Sequence, residues 1–160
     1  MASPEISYPE LYEHDYYAWI REQVRALREH RVEEVDWENV AEEIEDLGKS
    51  EKRSVESHLE TLLLHALKLS YARGLSRDRN ARLWENTIEL ARSEVRRLLD
   101  ESPSLRPMLE ELVNNAYKDA RISARRALGF PKEPLPETSP WTLEQVLDDN
   151  FVPKPVSMAG

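Results

Sequence analysis

Residues 51–71 read EKRSVESHLETLLLHALKLSY, and the second half of this stretch is apolar on nearly every side of a helix. At about 100° per residue, one stripe consists of Val55, Leu59, Leu62, Ala66 and Leu69. Leu64 and Leu67 lie outside that stripe, whereas a surface helix would show a single apolar stripe. The stretch therefore predicts a central helix, about residues 51–73, that the other helices surround.

The composition favours one helical domain. The chain has 160 residues, of which 40% are apolar, 33% are charged and four are glycine. A chain of this length can bury a substantial core. So few glycines with so many charges are more typical of amphipathic helices than of a disordered or all-β chain. We therefore expect an all-α fold, a five-helix bundle built around the central helix.

Charge, cysteine content and hydropathy bear on location and partners. The net charge of −9 disfavours unspecific attraction to nucleic acids or anionic lipids. The absence of cysteine excludes a disulfide framework and thiolate metal sites, which fits a reducing compartment. No apolar run approaches the roughly 20 residues of a membrane span, and the first five residues do not resemble a signal peptide. These features predict a cytoplasmic protein.

Apolar spacing and capping residues give bounds for the predicted helices. After a flexible start, Asp15 is placed to cap the first helix, and glycines are placed to end the second and third. In chain order, the predicted helices run from Asp15 to His30, from Asp36 to Gly48, from Ser50 to Gly74, from Ala81 to Leu99 after a polar loop at Ser76 to Asn80, and from Leu105 to Leu128. Short connections predict antiparallel neighbours.

The apolar stripes of these helices define the expected core, because an amphipathic helix buries its apolar face. The residues expected to be buried are Trp19, Ile20, Val24, Val40, Ile44, Leu59, Leu62, Leu63, Ala66, Trp84, Ile88, Val95, Leu112 and Ala116. Since Leu62 lies at the middle of the central stripe, its replacement by aspartate is expected to unfold the protein.

The composition changes at residue 131, after which six prolines prevent a long helix. We therefore divide the chain into a bundle domain, residues 1–130, and a C-terminal arm, residues 131–160. Ser139 and Pro140 are placed to start one short helix. The apolar side chains of Trp141, Leu143 and Phe151 disfavour exposure of this arm to solvent. The arm is expected to dock on its own bundle or on a second copy.

A resemblance to a known family rests on five segments in a defined order. They are YEHDYYAW (12–19), VDWENVAEEIEDLGKSEKR (35–53), LLLHALKL (62–69), ESPSLRP (101–107) and SPWTLEQVLDDNFVP (139–153). The segments resemble the uncharacterised bacterial family of domains of unknown function numbered twenty-nine. The resemblance implies an all-α, single-domain bacterial protein and brings no activity, cofactor or catalytic residue with it. Such sequences often carry a paired His-His in the central segment, whereas Ala66 follows His65 here.

Four polar residues, His58, Thr61, His65 and Lys68, form a seam along the central helix. If the second predicted helix packs beside this seam, Glu43 and Asp46 face it. Carboxylates opposite imidazoles are candidates for metal binding (Glu43, Asp46, His58, His65) or for acid–base catalysis (Glu43, His65, Lys68). However, His58 and His65 lie about 10.5 Å apart along a helix, too far to share one zinc ion readily. A hydrogen-bonded structural role for His65 is therefore favoured.

The familiar enzyme motifs GxSxG, GxxxxGK[ST] and HExxH are absent. We therefore favour a protein-interaction or adaptor module without a cofactor, whose partner is another protein or a second copy. The candidate partner-binding residues are Arg77, Arg79, Arg82, Trp141, Leu143 and Phe151. Two alternatives stay open: an enzyme or metal-binding protein that uses the seam, and nucleic-acid binding through the arginine-rich segment from Arg73 to Arg97, which the net charge disfavours.

Overall fold

The computed structural model describes residues 8–131 and 134–157 and shows an all-α fold. Two 3₁₀ helices, Val32–Glu34 and Pro103–Met108, lie between the α-helices. The α-helices are α1 (Tyr8–His14), α2 (Tyr16–Arg28), α3 (Trp37–Tyr71), α4 (Gly74–Glu101), α5 (Leu109–Ala127) and α6 (Leu143–Leu147). By their contacts, residues divide into two compact units, 1–50 and 51–160. Within the described ranges, no helix combines the length and apolarity that a membrane crossing requires.

In the first unit, α2 is fixed by its cap and by its buried face. Asp15 accepts a hydrogen bond from the backbone N–H of Ala18, as its position in the sequence predicts. Trp19, Gln23 and Ala26 make up the buried face. The flexible start expected before Asp15 is wrong for residues 8–14, because these residues form α1. The first five residues, on which the expected location partly rests, lie outside the described residues.

A buried glutamine ties α2 to the segment that precedes α3. Gln23 Oε1 accepts from the backbone N–H of Asp36 (2.7 Å), and its Nε2 donates to the carbonyl of Glu34 (3.4 Å). Trp19 Nε1 donates to Asp36 Oδ2 (3.2 Å). Asp36 also accepts from the backbone N–H of Asn39. Asp36 thus caps the next helix, as predicted, and holds α2 beside its start.

Gly48 does not end a helix, and Ser50 does not begin one. The second and third predicted helices are a single helix of 35 residues, α3. Gly48 is exposed within it and has an ordinary negative φ. A glycine inside a helix costs only about 1 kcal/mol relative to alanine. The helix can therefore continue through Gly48 when the residues on both sides have a high helix propensity. The predicted separation into two helices at Gly48 is therefore wrong.

The replacement Gly48→Ala is expected to stabilise the protein by about 0.5–1 kcal/mol, because alanine restricts the unfolded chain and favours helix. A Cβ at this position would meet no atom within 4 Å. Urea unfolding of the purified variant measures the change. Gly74→Ala is the control and should destabilise, since Gly74 has φ +59°. If Gly48→Ala destabilised instead, the helix would not continue through residue 48.

The later helices differ from the predicted bounds at their starts. Helix α3 ends at Tyr71, and α4 begins at Gly74, so the predicted loop at 76–80 is helical. The fifth helix begins at Leu109, because Pro107 lies in the preceding 3₁₀ helix. In the arm, the short helix begins at Leu143 rather than at Ser139. Thr142 caps it through a reciprocal hydrogen-bond pair with Gln145.

The core of the second unit forms around the apolar half of α3, as the sequence predicts. Helices α4 and α5 contribute one apolar face each, and Leu135 and Val146 of the arm complete the core. Of the residues expected to be buried, those buried are Trp19, Leu59, Leu62, Leu63, Ala66, Trp84, Ile88, Val95, Leu112 and Ala116. Ile20 and Val40 are half-buried. The predictions for Val24 and Ile44, both in the first unit, are wrong, because these residues are exposed.

Candidate functional site

The polar seam does not acquire the carboxylates that a separate second helix was expected to supply. Glu43 and Asp46 belong to α3 itself, and the chain makes no turn between them and His65. The predicted hairpin that would bring Glu43 opposite His65 is therefore wrong. Among residues 8–131 and 134–157, no three His, Asp or Glu side chains lie close enough to hold a metal ion together.

His65 is half-buried and hydrogen-bonded to its own helix. Its Nδ1 lies 2.8 Å from the carbonyl oxygen of Thr61. Because a carbonyl only accepts, the proton of the neutral ring must lie on Nδ1. Burial lowers the pKa of His65 below 6.5, and nearby Lys68 lowers it further, while the bond to Thr61 opposes both. Lys68 Nζ lies 5.9 Å from the centre of the Trp84 ring.

The lowered pKa of His65 makes stability depend on pH in a defined direction. The unfolded ring binds a proton near pH 6.5, and the folded ring does so only at lower pH. The contribution of His65 to the free energy of unfolding is therefore fully present above pH 6.5. This contribution is lost as the pH falls through the pKa of the folded state. We expect the melting temperature of the native protein to drop more between pH 7.5 and 5 than that of His65→Gln. Equal drops would contradict this role of His65.

In the first unit, Glu43 accepts hydrogen bonds from two tyrosines. Tyr12 OH donates to Oε1 (2.8 Å) and Tyr16 OH to Oε2 (2.5 Å). The hydrogen bond to this carboxylate is the main reason that the pKa of Tyr12 rises to about 12. The rings of Tyr12, Tyr16 and Trp19 also contact one another. Glu43 therefore acts structurally here, joining α3 to α1 and α2.

The other carboxylate predicted for the site, Asp46, accepts a hydrogen bond from Lys49 Nζ (2.9 Å) on the same helix.

The partner-binding candidates of the arm contact the helices of the second unit. Trp141 and Leu143 are half-buried and pack on the core of the second unit. The carbonyl of Phe151 accepts from Arg92. Arg77 donates to the carbonyl of Leu69 (3.0 Å), while Arg79 and Arg82 are exposed. These residues of the arm thus pack on the helices of the second unit.

A buried arginine that the sequence reasoning missed holds this arm. Arg92 of α4 is buried, and it donates to the carbonyls of Val146 (2.8 Å), Phe151 (2.8 Å) and Gln145 (3.4 Å). Burial lowers the pKa of its guanidinium, an effect that nearby Asp149 opposes. The sequence does contain a signal for this buried position, because Arg92 follows Ile88 by four residues and precedes Val95 by three, which places it on the same face of the helix. An arginine within an apolar stripe indicates a buried cation with polar partners.

Two helical stretches of the first unit carry apolar stripes with the same spacing of three, four and three residues, and every member except the half-buried Ile20 and Val40 is exposed. The α2 stripe consists of Tyr17, Ile20, Val24 and Leu27, and the α3 stripe of Trp37, Val40, Ile44 and Leu47. Tyr17 is 71% exposed, Ile44 63% and Leu47 68%. An open groove along α2 is lined by Tyr17, Ile20, Arg21, Val24, Arg25, Arg28 and Glu29. Contiguous exposed apolar residues of this kind typically mark binding surfaces.

The charge of the chain is concentrated in the unit that carries these stripes. Residues 1–50 contain 14 acidic and five basic side chains, so they account for the whole net charge of −9. Residues 51–160 contain 17 of each sign, which cancel. Within the first unit, Arg21 and Arg28 lie beside the α2 stripe, whereas Glu42 lies on the side of its helix opposite to the α3 stripe.

Comparison with known proteins assigns the chain to a family. The model of a family described as "Domain of unknown function DUF29" matches residues 11–152. This range covers nearly the whole chain, including both stripes and the short helix of the arm. No curated protein and no solved structure matches the chain. On the extent of the family match, this protein belongs to the DUF29 family.

Proposed function

We propose that this protein is a protein-interaction module and that its binding surface is made of the α2 stripe and the α3 stripe. The observation that carries the proposal is the exposure of Ile44 and Leu47 on a helix whose spacing is that of a buried face. Leaving large apolar side chains in water forgoes about 1.5–3 kcal/mol for each one that could be buried. A protein partner that covers the stripe recovers this free energy.

The arginines of the second unit offer less support for nucleic-acid binding. Several of them donate to backbone carbonyls of their own unit, among them Arg73, Arg77, Arg92 and Arg121. Arg96 and Arg97 pair with the carboxylates of Asp149 and of Glu94 and Glu101. Guanidinium groups engaged in this way have fewer donors to offer to phosphates. A protein partner therefore agrees better with the distribution of polar contacts.

The proposal is tested by association of the purified protein, with itself or with proteins of its source organism, before and after Leu47→Glu. This change places a charge in the middle of the proposed surface and should abolish association. Leu83→Glu is the matched control, because Leu83 is an exposed leucine on α4 in the second unit. Association that survives Leu47→Glu, or that Leu83→Glu abolishes equally, would overturn the proposal. So would the absence of any association.

A further inference from the structure

We propose that residues 44–51 of α3 open and close as a local unit while the helix on both sides of them stays folded. The inference goes beyond the proposed function, because it concerns the stability of the helix that carries the α3 stripe rather than its partner. The observation behind it is an interruption in burial. All eight residues of this stretch are exposed, although they lie inside a helix of 35 residues.

The parts of α3 before and after this stretch are held by contacts that the stretch itself lacks. Just before it, Glu43 accepts hydrogen bonds from Tyr12 and Tyr16. Val55 is the first buried residue after it. In between, no side of the helix is covered for about two turns. Most of the stability of a helix in a protein comes from packing of one face, so residues 44–51 depend on their helix hydrogen bonds and propensity.

The composition of the stretch favours opening. Glycine is the least favourable residue inside a helix apart from proline, and Gly48 lies in the middle of the stretch. The side chains of Asp46 and Ser50 compete with the helix for backbone hydrogen bonds. Lys49 pairs with Asp46 (2.9 Å), but both side chains are more than half exposed. Such exposed pairs contribute little to stability, so the pair does not hold the stretch closed.

The cost of starting a helix sets how often the stretch opens. When the middle of a helix opens, the part beyond the opening becomes a second helix with a start of its own, which reduces the equilibrium by a factor of about 10³. About one molecule in 10³ is therefore open at a time. The amides of a core exchange with solvent only when the whole core unfolds, which corresponds to about one molecule in 10⁴ or fewer.

The opening affects the proposed binding surface, a consequence that rests on the proposed function. Ile44 and Leu47 of the α3 stripe lie inside the stretch, whereas Trp37 and Val40 precede it. An open stretch no longer places Ile44 and Leu47 on one face of a helix. The second half of the stripe therefore exists only in the closed state, and a partner that binds it holds the stretch closed.

Hydrogen exchange of the intact, dissociated protein, measured by mass spectrometry, tests the opening. We expect the protection factors of amides in residues 46–51 to be at least about tenfold lower than those in residues 59–69 of the same helix. Equal protection in the two segments would overturn the inference.

The urea dependence of the exchange distinguishes a local opening from global unfolding. Global unfolding exposes a large surface, so 1 M urea should speed exchange in residues 59–69 by at least about fivefold. A local opening exposes little new surface, so exchange in residues 46–51 should speed up by less than about twofold. If urea acted equally on both segments, residues 46–51 would open only when the whole protein unfolds, and the inference would be wrong.

A matched pair of alanine variants tests whether the stretch controls its own opening. Gly48→Ala should slow exchange in residues 46–51 about fivefold, because alanine favours the closed helix. Ser57→Ala is the control, since Ser57 is exposed on the same helix but lies outside the stretch. It should leave exchange in residues 46–51 unchanged. If both variants slowed exchange there equally, the opening would not be confined to the stretch.

The outcomes separate this inference from the proposed function, because exchange of the dissociated protein requires no partner. If residues 46–51 show the protection and urea dependence of the core, the local opening is wrong and the proposed surface is unaffected. If they show local opening but association survives Leu47→Glu, the opening stands and the proposed surface fails.

Discussion

Replacing Leu62 by aspartate is expected to unfold the second unit. Leu62 is 1% exposed and belongs to the core formed by α3, α4, α5 and the arm. Burying a carboxylate without a partner costs several kcal/mol, and the lost leucine removes about 2 kcal/mol more. The sum approaches the total stability of a typical domain, about 5–15 kcal/mol. Far-ultraviolet circular dichroism should show a large loss of helix.

Leu90→Asp is the matched control for this prediction. Leu90 lies on α4 and is 70% exposed, so the new carboxylate remains in water. The remaining effect is the lower helix propensity of aspartate, about 0.5 kcal/mol. A folded Leu62→Asp variant, with a melting temperature close to that of Leu90→Asp, would contradict the position of Leu62 in the core.

Replacing Arg92 by methionine is expected to destabilise the protein by about 3 kcal/mol. The guanidinium supplies hydrogen bonds to three carbonyls of the arm, those of Gln145, Val146 and Phe151. Methionine fills part of the volume but donates nothing, so these acceptors lose a charged partner. Denaturant unfolding measures the loss of stability. Limited proteolysis should show faster cleavage between residues 134 and 157.

The control for Arg92 lies one turn later on the same helix. Arg96 is half exposed and pairs with Asp149 of the arm. Because the pair is in contact with water, Arg96→Met should cost no more than about 1 kcal/mol. If Arg96→Met destabilised the protein as much as Arg92→Met, burial of the Arg92 hydrogen bonds would not explain how the arm is held.

The sequence predicts the fold class and the second-unit core because apolar periodicity is a direct consequence of burial. Leu59, Leu62 and Ala66 repeat with the period of a helix, and all are buried. Helix ends are less readable, since Gly48 inside a helix looks the same in sequence as a glycine that ends one. The distinction is in φ, which is positive at Gly129 after α5 and not at Gly48. Residues 76–80 are equally ambiguous, because polar residues suit exposed helices and loops alike.

The candidate surface escaped the sequence analysis for a different physical reason. Periodicity shows which residues share a face of a helix, but it does not show whether that face is covered by the same chain. Val24 and Ile44 have the spacing of core residues and are exposed. In contrast, the predicted site around His65 required a hairpin between two helices, and α3 is a single helix. Glu43 and His65 instead belong to one continuous helix.

The central claim is that association takes place on the α2 and α3 stripes of the first unit. Hydrogen exchange measured by mass spectrometry, compared between the associated and the dissociated protein, tests this claim most directly. We predict slower exchange on association in Tyr16–Arg28 and in residues 37–47, with little change elsewhere. Slower exchange confined to residues 77–82 or 141–151, with both stripes unchanged, would contradict the claim.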